Sequence, residues 1–86
     1  MLLSIVMIVK NEEKILEKTL KSLTTLRNSI ESELIIVDTG STDDTINISR
    51  KYTENVYFHN WNNDFSSMRN ISISYAKGEW LLILDA

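Results

Sequence analysis

The sequence predicts an α/β fold, a three-layer, Rossmann-like parallel sheet with elements in the order βαβαβαβ. Short apolar runs rich in β-branched residues alternate with stretches in which apolar residues recur at helical spacing. The first run is apolar along almost its whole length, which is typical of a strand buried on both faces. No repeat, low-complexity segment or linker interrupts the alternation, so right-handed crossovers between parallel strands are expected.

The first half of the chain is predicted to contain two strand-helix units. A strand over residues 2–9 precedes a helix over roughly 12–29, with Asn11 as its cap and acidic residues in its first turn. A second strand at 33–38 leads through a Gly-Ser turn into a helix of about 42–53, where Asp43 and Asp44 suit the helix start.

The second half is predicted to contain one more unit and a final strand. A short strand at 55–59 is followed by a polar loop, and Asp64 caps a helix over roughly 64–76. Gly78 stops this helix, and the last strand covers 79–85. Trp61 and Trp80 are expected to pack, and Trp61 is also a candidate border for a pocket.

Composition excludes several classes of function. The 86 residues are 43% hydrophobic and 24% charged, as in one small globular domain, and the net charge of −3 disfavours a nucleic-acid partner. The absence of cysteine excludes disulfides, thiolate metal sites and cysteine nucleophiles. No apolar run approaches the roughly twenty residues of a membrane span, and the start lacks the basic flank of a signal peptide. We therefore expect no transmembrane segment and a cytoplasmic location.

Polar side chains follow the predicted strands at the edge where open parallel sheets bind ligands. Lys10 to Glu12 follow the first strand, Asp38 to Ser41 the second and His59 the third, and Asp85 ends the fourth. Carboxylates at the ends of three strands suit a ligand with ribose hydroxyls and a metal-bound diphosphate.

Four segments carry a family resemblance. IVMIVKNEE, LIIVDTGSTDDT, DFSSMRN and KGEWLLILDA resemble, in this order, the successive motifs of the family 2 glycosyltransferases, which have the GT-A fold. The ordered set spans nearly the whole chain and is more specific than any single motif. It implies the strand order 3-2-1-4 and identifies residues 1–86 as the N-terminal, nucleotide-binding half of a GT-A domain.

The resemblance also implies functional roles. The partner would be a nucleoside diphosphate sugar, with a UDP-sugar favoured, and the parent enzyme would transfer the sugar with inversion to an unidentified acceptor. Asp85 would be the first aspartate of a D-x-D motif and a ligand of Mn²⁺ or Mg²⁺. The residues expected to bind the nucleotide sugar are Val9, Asn11, Glu12, Asp38, Gly40, Ser41, Arg69 and Asp85.

Two departures from the family pattern limit these expectations. Thr39 stands where an aspartate is commoner, which leaves the nucleobase open. The D-x-D motif stops after Ala86, and no residue of the chain is an evident catalytic base. We therefore expect the 86-residue chain to bind metal weakly and to be inactive by itself.

Other interpretations stay open at this point. Asp38 could cap its turn, Glu12 could be an ordinary first-turn acid, and Arg69 could be a solvated basic residue. A receiver-like signalling module would want an aspartate at the end of the third strand, where His59 stands. A non-catalytic oligomerising domain is a third class, because an open apolar edge at the fourth strand favours homo-oligomers.

Overall fold

Four parallel strands form the centre of the fold, in the order β3-β2-β1-β4. The structure is a computed structural model that describes residues 2–61 and 64–85. Both the predicted α/β class and the predicted strand order are confirmed. The elements are β1 (Leu3–Val9), α1 (Glu13–Ser29), β2 (Ser32–Asp38), α2 (Thr45–Arg50), β3 (Val56–Phe58), α3 (Phe65–Ser74) and β4 (Trp80–Asp85).

The two central strands, β1 and β2, are buried on both faces, which explains their nearly continuous apolar sequences. Successive side chains of a strand point to opposite faces, so each strand contributes to two clusters. One cluster joins alternate residues such as Ile5 and Ile36 to Leu16 of α1 and Ile48 of α2. The other joins residues such as Val6, Ile35 and Val37 to Met68 of α3. The helices therefore cover both faces of the sheet.

The start of α1 differs from the prediction. The helix begins at Glu13 with Glu12 at the N-cap position, and no side chain caps it. Asn11 adopts a left-handed conformation with φ 52°, and its side-chain oxygen accepts a hydrogen bond from the backbone N–H of Thr42. The prediction that Asn11 caps α1 was wrong, because this side chain pairs with a loop from another part of the chain.

The second helix is shorter than the predicted 42–53. The backbone N–H of Thr45 donates to the Asp43 carboxylate at 3.0 Å, and the N–H of Asp44 donates to Glu13 at 3.1 Å. Such bonds to side chains compete with helical hydrogen bonding, so helical geometry begins only at Thr45. After Arg50 the chain turns, and the guanidinium of Arg27 donates to the carbonyl oxygen of Tyr52 at 3.1 Å.

A buried polar cluster lies at the amino ends of β1 and β2. The hydroxyl of Ser4 donates to the carboxylate of Glu33 at 2.5 Å, and Glu33 also accepts from the backbone N–H of Lys77 at 2.7 Å. The N–H of Gly78 donates to the Ser4 hydroxyl at 2.7 Å, and a Cβ at position 78 would lie 2.7 Å from the Ser4 backbone nitrogen. Only glycine permits this approach, which fixes the start of β4.

The outer strands carry exposed apolar side chains. Trp80 of β4 is 66% exposed and Leu81 is 42% exposed, so the expectation that Trp80 packs was wrong. The cause is the position of β4, which pairs with β1 alone among the described strands. None of the helices within the described ranges is long and apolar enough to cross a membrane.

Candidate functional site

A cavity of about 240 Å³ lies at the carboxyl ends of β1 and β2, the edge at which the sequence predicts ligand binding. Apolar side chains and polar residues both contribute to its wall. Lys10 and Glu12 come from the loop after β1, and Thr39 follows β2. The lining residues are Ile8, Val9, Lys10, Glu12, Thr39 and Trp61.

The floor of the cavity is fixed by the register of the two strands. Val9 pairs with Asp38, and the next residue, Thr39, donates from both its backbone N–H and its hydroxyl to the carbonyl oxygen of Val9, at 3.0 and 3.2 Å. Thr39 is only 5% exposed. Its position at the wall is therefore set by the sheet itself.

Asp38 closes the turn that follows β2. One carboxylate oxygen accepts from the backbone N–H groups of Gly40 and Ser41, at 3.0 and 2.9 Å, and the other accepts from the Ser41 hydroxyl. Gly40 has φ 121°, a conformation that favours glycine. Asp38 is 1% exposed and does not line the cavity. Its geometry matches the capping interpretation, and its contact with a nucleoside stays a prediction.

The loop after β1 and the loop after β2 are joined by hydrogen bonds in both directions. The backbone N–H of Asn11 donates to the Ser41 hydroxyl at 2.8 Å, and the Asn11 side chain accepts from the backbone N–H of Thr42 at 2.8 Å. The left-handed backbone of Asn11 directs its amide N–H toward Ser41. Asn11, Gly40 and Ser41 thus support the cavity from beside it, without lining it.

Sequence reasoning missed a second connection between the same loops. The backbone N–H of Glu12 donates to the hydroxyl of Thr45 at 2.8 Å, and this hydroxyl donates to Asp43 at 2.5 Å. The hydrogen bond from Thr45 lowers the pKa of Asp43 below its ordinary value, against the opposing effect of burial. An aspartate two residues before a threonine is a local signal for such a turn, but its contact with Glu12 has no local signal.

The remaining predicted site residues lie farther along the chain. Arg69 is exposed on α3 and is not among the residues that line the cavity. The backbone of Asp85 ends β4 opposite Ile8, at the same edge of the sheet, and its side chain lies outside the described part. His59 lies with its Nε2 2.6 Å from the hydroxyl oxygen of Tyr75.

The side chains that the structure describes, which do not include that of Asp85, form no ready metal cage. They bring no three histidine, cysteine, aspartate or glutamate side chains close enough together to hold a metal ion. The described side chains alone therefore do not fit a tightly bound divalent cation, which requires several oxygen ligands.

Comparison with known proteins finds similarity along almost the whole chain. The sequence model of the family described as Glycosyl transferase family 2 matches residues 4–86. A TPR repeat-containing protein of Synechococcus elongatus is 39% identical over 83 residues, 96% of this chain and 20% of that protein. The prophage-derived glycosyltransferase SunS of Bacillus subtilis is 41% identical over 81 residues, 92% of this chain and 18% of SunS.

A third relative extends the comparison to another bacterium. An uncharacterized glycosyltransferase of Mycoplasma genitalium is 32% identical over 97 residues, which cover 100% of this chain and 32% of that protein. The chain thus spans less than a third of the length of each of these curated relatives. The family match favours the glycosyltransferase resemblance over the receiver-like alternative.

Proposed function

Since the chain belongs to glycosyl transferase family 2, we propose that its cavity binds the nucleoside diphosphate part of a sugar donor. The observation that carries the proposal is the position of the cavity. Val9, Glu12 and Thr39 line it at the carboxyl ends of the two central strands, and all three fall within the first two motifs of the family resemblance.

The wall of the cavity combines groups suited to different parts of such a ligand. Ile8, Val9 and the indole of Trp61 offer apolar surface for a nucleobase. Lys10 offers an ammonium group that favours phosphate, and the Glu12 carboxylate can accept hydrogen bonds from ribose hydroxyls. We propose a UDP-sugar as the donor, and Arg69 as a further contact from α3.

The proposed reaction of the whole enzyme is sugar transfer from the nucleoside diphosphate to an acceptor, with inversion at the anomeric carbon. Such a transfer needs a base beside the acceptor hydroxyl and a donor held in line with it. No residue of this chain is assigned the role of that base. We therefore propose that residues 1–86 are the donor-binding half of a GT-A domain and are inactive by themselves.

We also propose that Mn²⁺ or Mg²⁺ joins the diphosphate at Asp85 in the whole enzyme, where the cation would neutralise charge on the leaving group. In this chain the cation should bind weakly, because one carboxylate leaves it mostly hydrated. A cytoplasmic location stays a prediction.

Titration of the isotope-labelled chain with UDP, with and without Mn²⁺, tests the proposal by NMR. We expect UDP to shift the backbone amide signals of Asn11, Glu12 and Thr39, and to shift those on the outer face of α1 much less. GDP and ADP are titrated in parallel to identify the base. If no nucleoside diphosphate perturbs these amides, the donor-site assignment is wrong.

Two lysine variants show whether the cavity binds the phosphate groups of the ligand. Lys10→Gln removes the ammonium group at the cavity and should weaken UDP binding about three- to tenfold, the range expected for the loss of one hydrogen bond of ordinary net strength at an exposed position. Binding of uridine, which lacks phosphates, should change little. Lys21→Gln makes the same change at an exposed position of α1 and is the matched control.

A further inference from the structure

Two hydroxyl groups connect the loop after β1 to the loop after β2 in the same way. The Ser41 hydroxyl accepts from the backbone N–H of Asn11 and donates to the carboxylate of Asp38. The Thr45 hydroxyl accepts from the backbone N–H of Glu12 and donates to the carboxylate of Asp43. We call each set of three groups, from N–H through hydroxyl to carboxylate, a hydroxyl relay.

Each relay contains one buried member, and its hydrogen bonds have clear directions. Asp38 and Thr45 are 1% and 0% exposed. An ionised carboxylate accepts hydrogen bonds only, so each hydroxyl must use its single proton toward the aspartate. The hydroxyl oxygen then presents its lone pairs to the amide N–H of the other loop. The bond from each hydroxyl to its carboxylate is charge-assisted, and charge-assisted hydrogen bonds are shorter and stronger than neutral ones.

The two N–H groups belong to Asn11 and Glu12, in the loop that leads from β1 to the cavity. Glu12 lines the cavity and stands at the N-cap position of α1, so its backbone N–H has no partner within the helix. The side chain of Glu12 makes no cap hydrogen bond, and its backbone amide is instead held from α2 at 2.8 Å. The neighbouring Asn11 has left-handed φ of 52°, a conformation that costs free energy unless surrounding contacts hold it.

We propose that Thr45 and Ser41 are positioning residues, which hold the backbone of Glu12 and Asn11 at the cavity, and that Asp43 and Asp38 orient their hydroxyls. The inference rests on the proposed function, because the cavity matters only if it binds the donor. It assigns Asp38 a structural part in donor binding that needs no contact with the nucleoside. It also gives Asp43 and Thr45 roles that a helix-start interpretation does not.

The lowered pKa of Asp43 agrees with this arrangement. Its main cause is the hydrogen bond from the Thr45 hydroxyl, so the relay keeps the carboxylate ionised and accepting. Burial acts in the opposite direction and is outweighed.

A threonine series tests the relay. Thr45→Val removes the hydroxyl at almost constant volume, whereas Thr45→Ser keeps it. Without any ligand, amide hydrogen exchange at Glu12 should become about three- to tenfold faster in Thr45→Val, in line with the loss of one hydrogen bond, and should stay near wild type in Thr45→Ser. UDP binding, measured by NMR or calorimetry, should weaken about three- to tenfold in Thr45→Val and recover in Thr45→Ser.

Thr19→Val is the matched control. The Thr19 hydroxyl donates to the carbonyl oxygen of Ile15 within α1, so its loss removes a hydroxyl without touching either loop. Exchange at the amides of β1 is followed in every variant to separate local loosening from global unfolding. Unchanged Glu12 exchange in a folded Thr45→Val variant would overturn the relay.

The two readouts separate the relay from the proposed function. If the wild-type chain binds no nucleoside diphosphate, the proposed function fails, and the exchange result still decides whether Thr45 holds Glu12. If the wild type binds UDP and Thr45→Val binds it equally well, the positioning role is wrong while the donor site stands.

Discussion

Hydrogen bonds from Thr45 and Glu13 converge on the carboxylate of Asp43. One oxygen accepts from the hydroxyl and the backbone N–H of Thr45, at 2.5 and 3.0 Å. The other accepts from the backbone N–H of Glu13 at 3.4 Å. All three bonds favour the charged carboxylate, so the pKa of Asp43 in the fold lies below the ordinary value of 3.8.

This lowered pKa predicts acid-sensitive stability. Ionised Asp43 stabilises the fold fully above the unfolded-state pKa near 3.8, and its contribution is lost as the pH falls through the lower folded pKa. Asp43→Asn keeps one acceptor oxygen but loses the charge. Its Tm should lie below that of wild type at neutral pH, and the difference should shrink as the pH falls through the lowered pKa of Asp43 in the folded protein.

Thermal melts of both proteins at several pH values measure this effect. Glu12, Glu13 and Lys14 share a surface cavity with Asp43, and Glu13 donates its backbone N–H to Asp43, so Glu13→Gln is melted alongside as a control for this acidic neighbour. A Tm difference between wild type and Asp43→Asn that is independent of pH would contradict the prediction.

Among single residues, the sequence predicted those whose place follows from the strands. Lys10 and Glu12 were expected at the ligand edge because they follow β1, and both line the cavity. Thr45 could not be found in this way, because its partner Glu12 lies 33 positions away and meets it only when α1 and α2 pack side by side. Patterns of neighbouring residues in the sequence do not predict a contact between residues so far apart in the chain.

At the scale of elements, the best predictions were those with local causes. Asp64 was expected to cap α3, and its carboxylate accepts from the backbone N–H of Ser67 at 3.2 Å. The predicted cap at Asn11 and the predicted length of α2 failed, because in both cases a side chain pairs with the other loop. Tertiary hydrogen bonds outweighed local propensity at those two helix starts.

The Asp64 cap yields a prediction on stability. Asp64→Ala should lower the free energy of unfolding by about 1 kcal/mol, because the alanine leaves a helix-start N–H without its side-chain acceptor. Asp64→Asn keeps an acceptor oxygen and should cost much less. Urea denaturation followed by circular dichroism compares the two variants, and equal losses in both would show that the charge of Asp64 matters more than its cap.

For the whole molecule, the sequence predicted a parallel sheet between layers of helices, because the spacing of apolar residues indicates which faces of each element are buried. The strand order came from the family resemblance and not from periodicity, because every order of four parallel strands buries similar faces. The order matters for association: it leaves β4 at an edge, with Trp80 66% and Leu81 42% exposed.

We propose that two copies of the chain associate through the β4 edge, where the side of β4 away from β1 has no strand partner among the described residues and apolar side chains are exposed. Sedimentation analysis should show a concentration-dependent dimer. Leu81→Lys places a charge on that strand and should shift the equilibrium toward monomer. Ile15→Lys, at a position of α1 that is 50% exposed, should not. A wild-type chain that stays monomeric at high concentration would contradict this proposal.

The pairing of β1 with β4 also constrains the order of events in folding. Leu3 pairs with Trp80, so β1 meets β4 only by closing a loop that contains β2, β3 and all three described helices. Closing so long a loop is slow, because its entropy cost precedes any gain from contact. We therefore expect the pairing of β4 with β1 to form late in folding, after β1, β2 and β3 have paired. The amides of Lys77 and Gly78 reach Glu33 and Ser4 only when β4 takes its place beside β1.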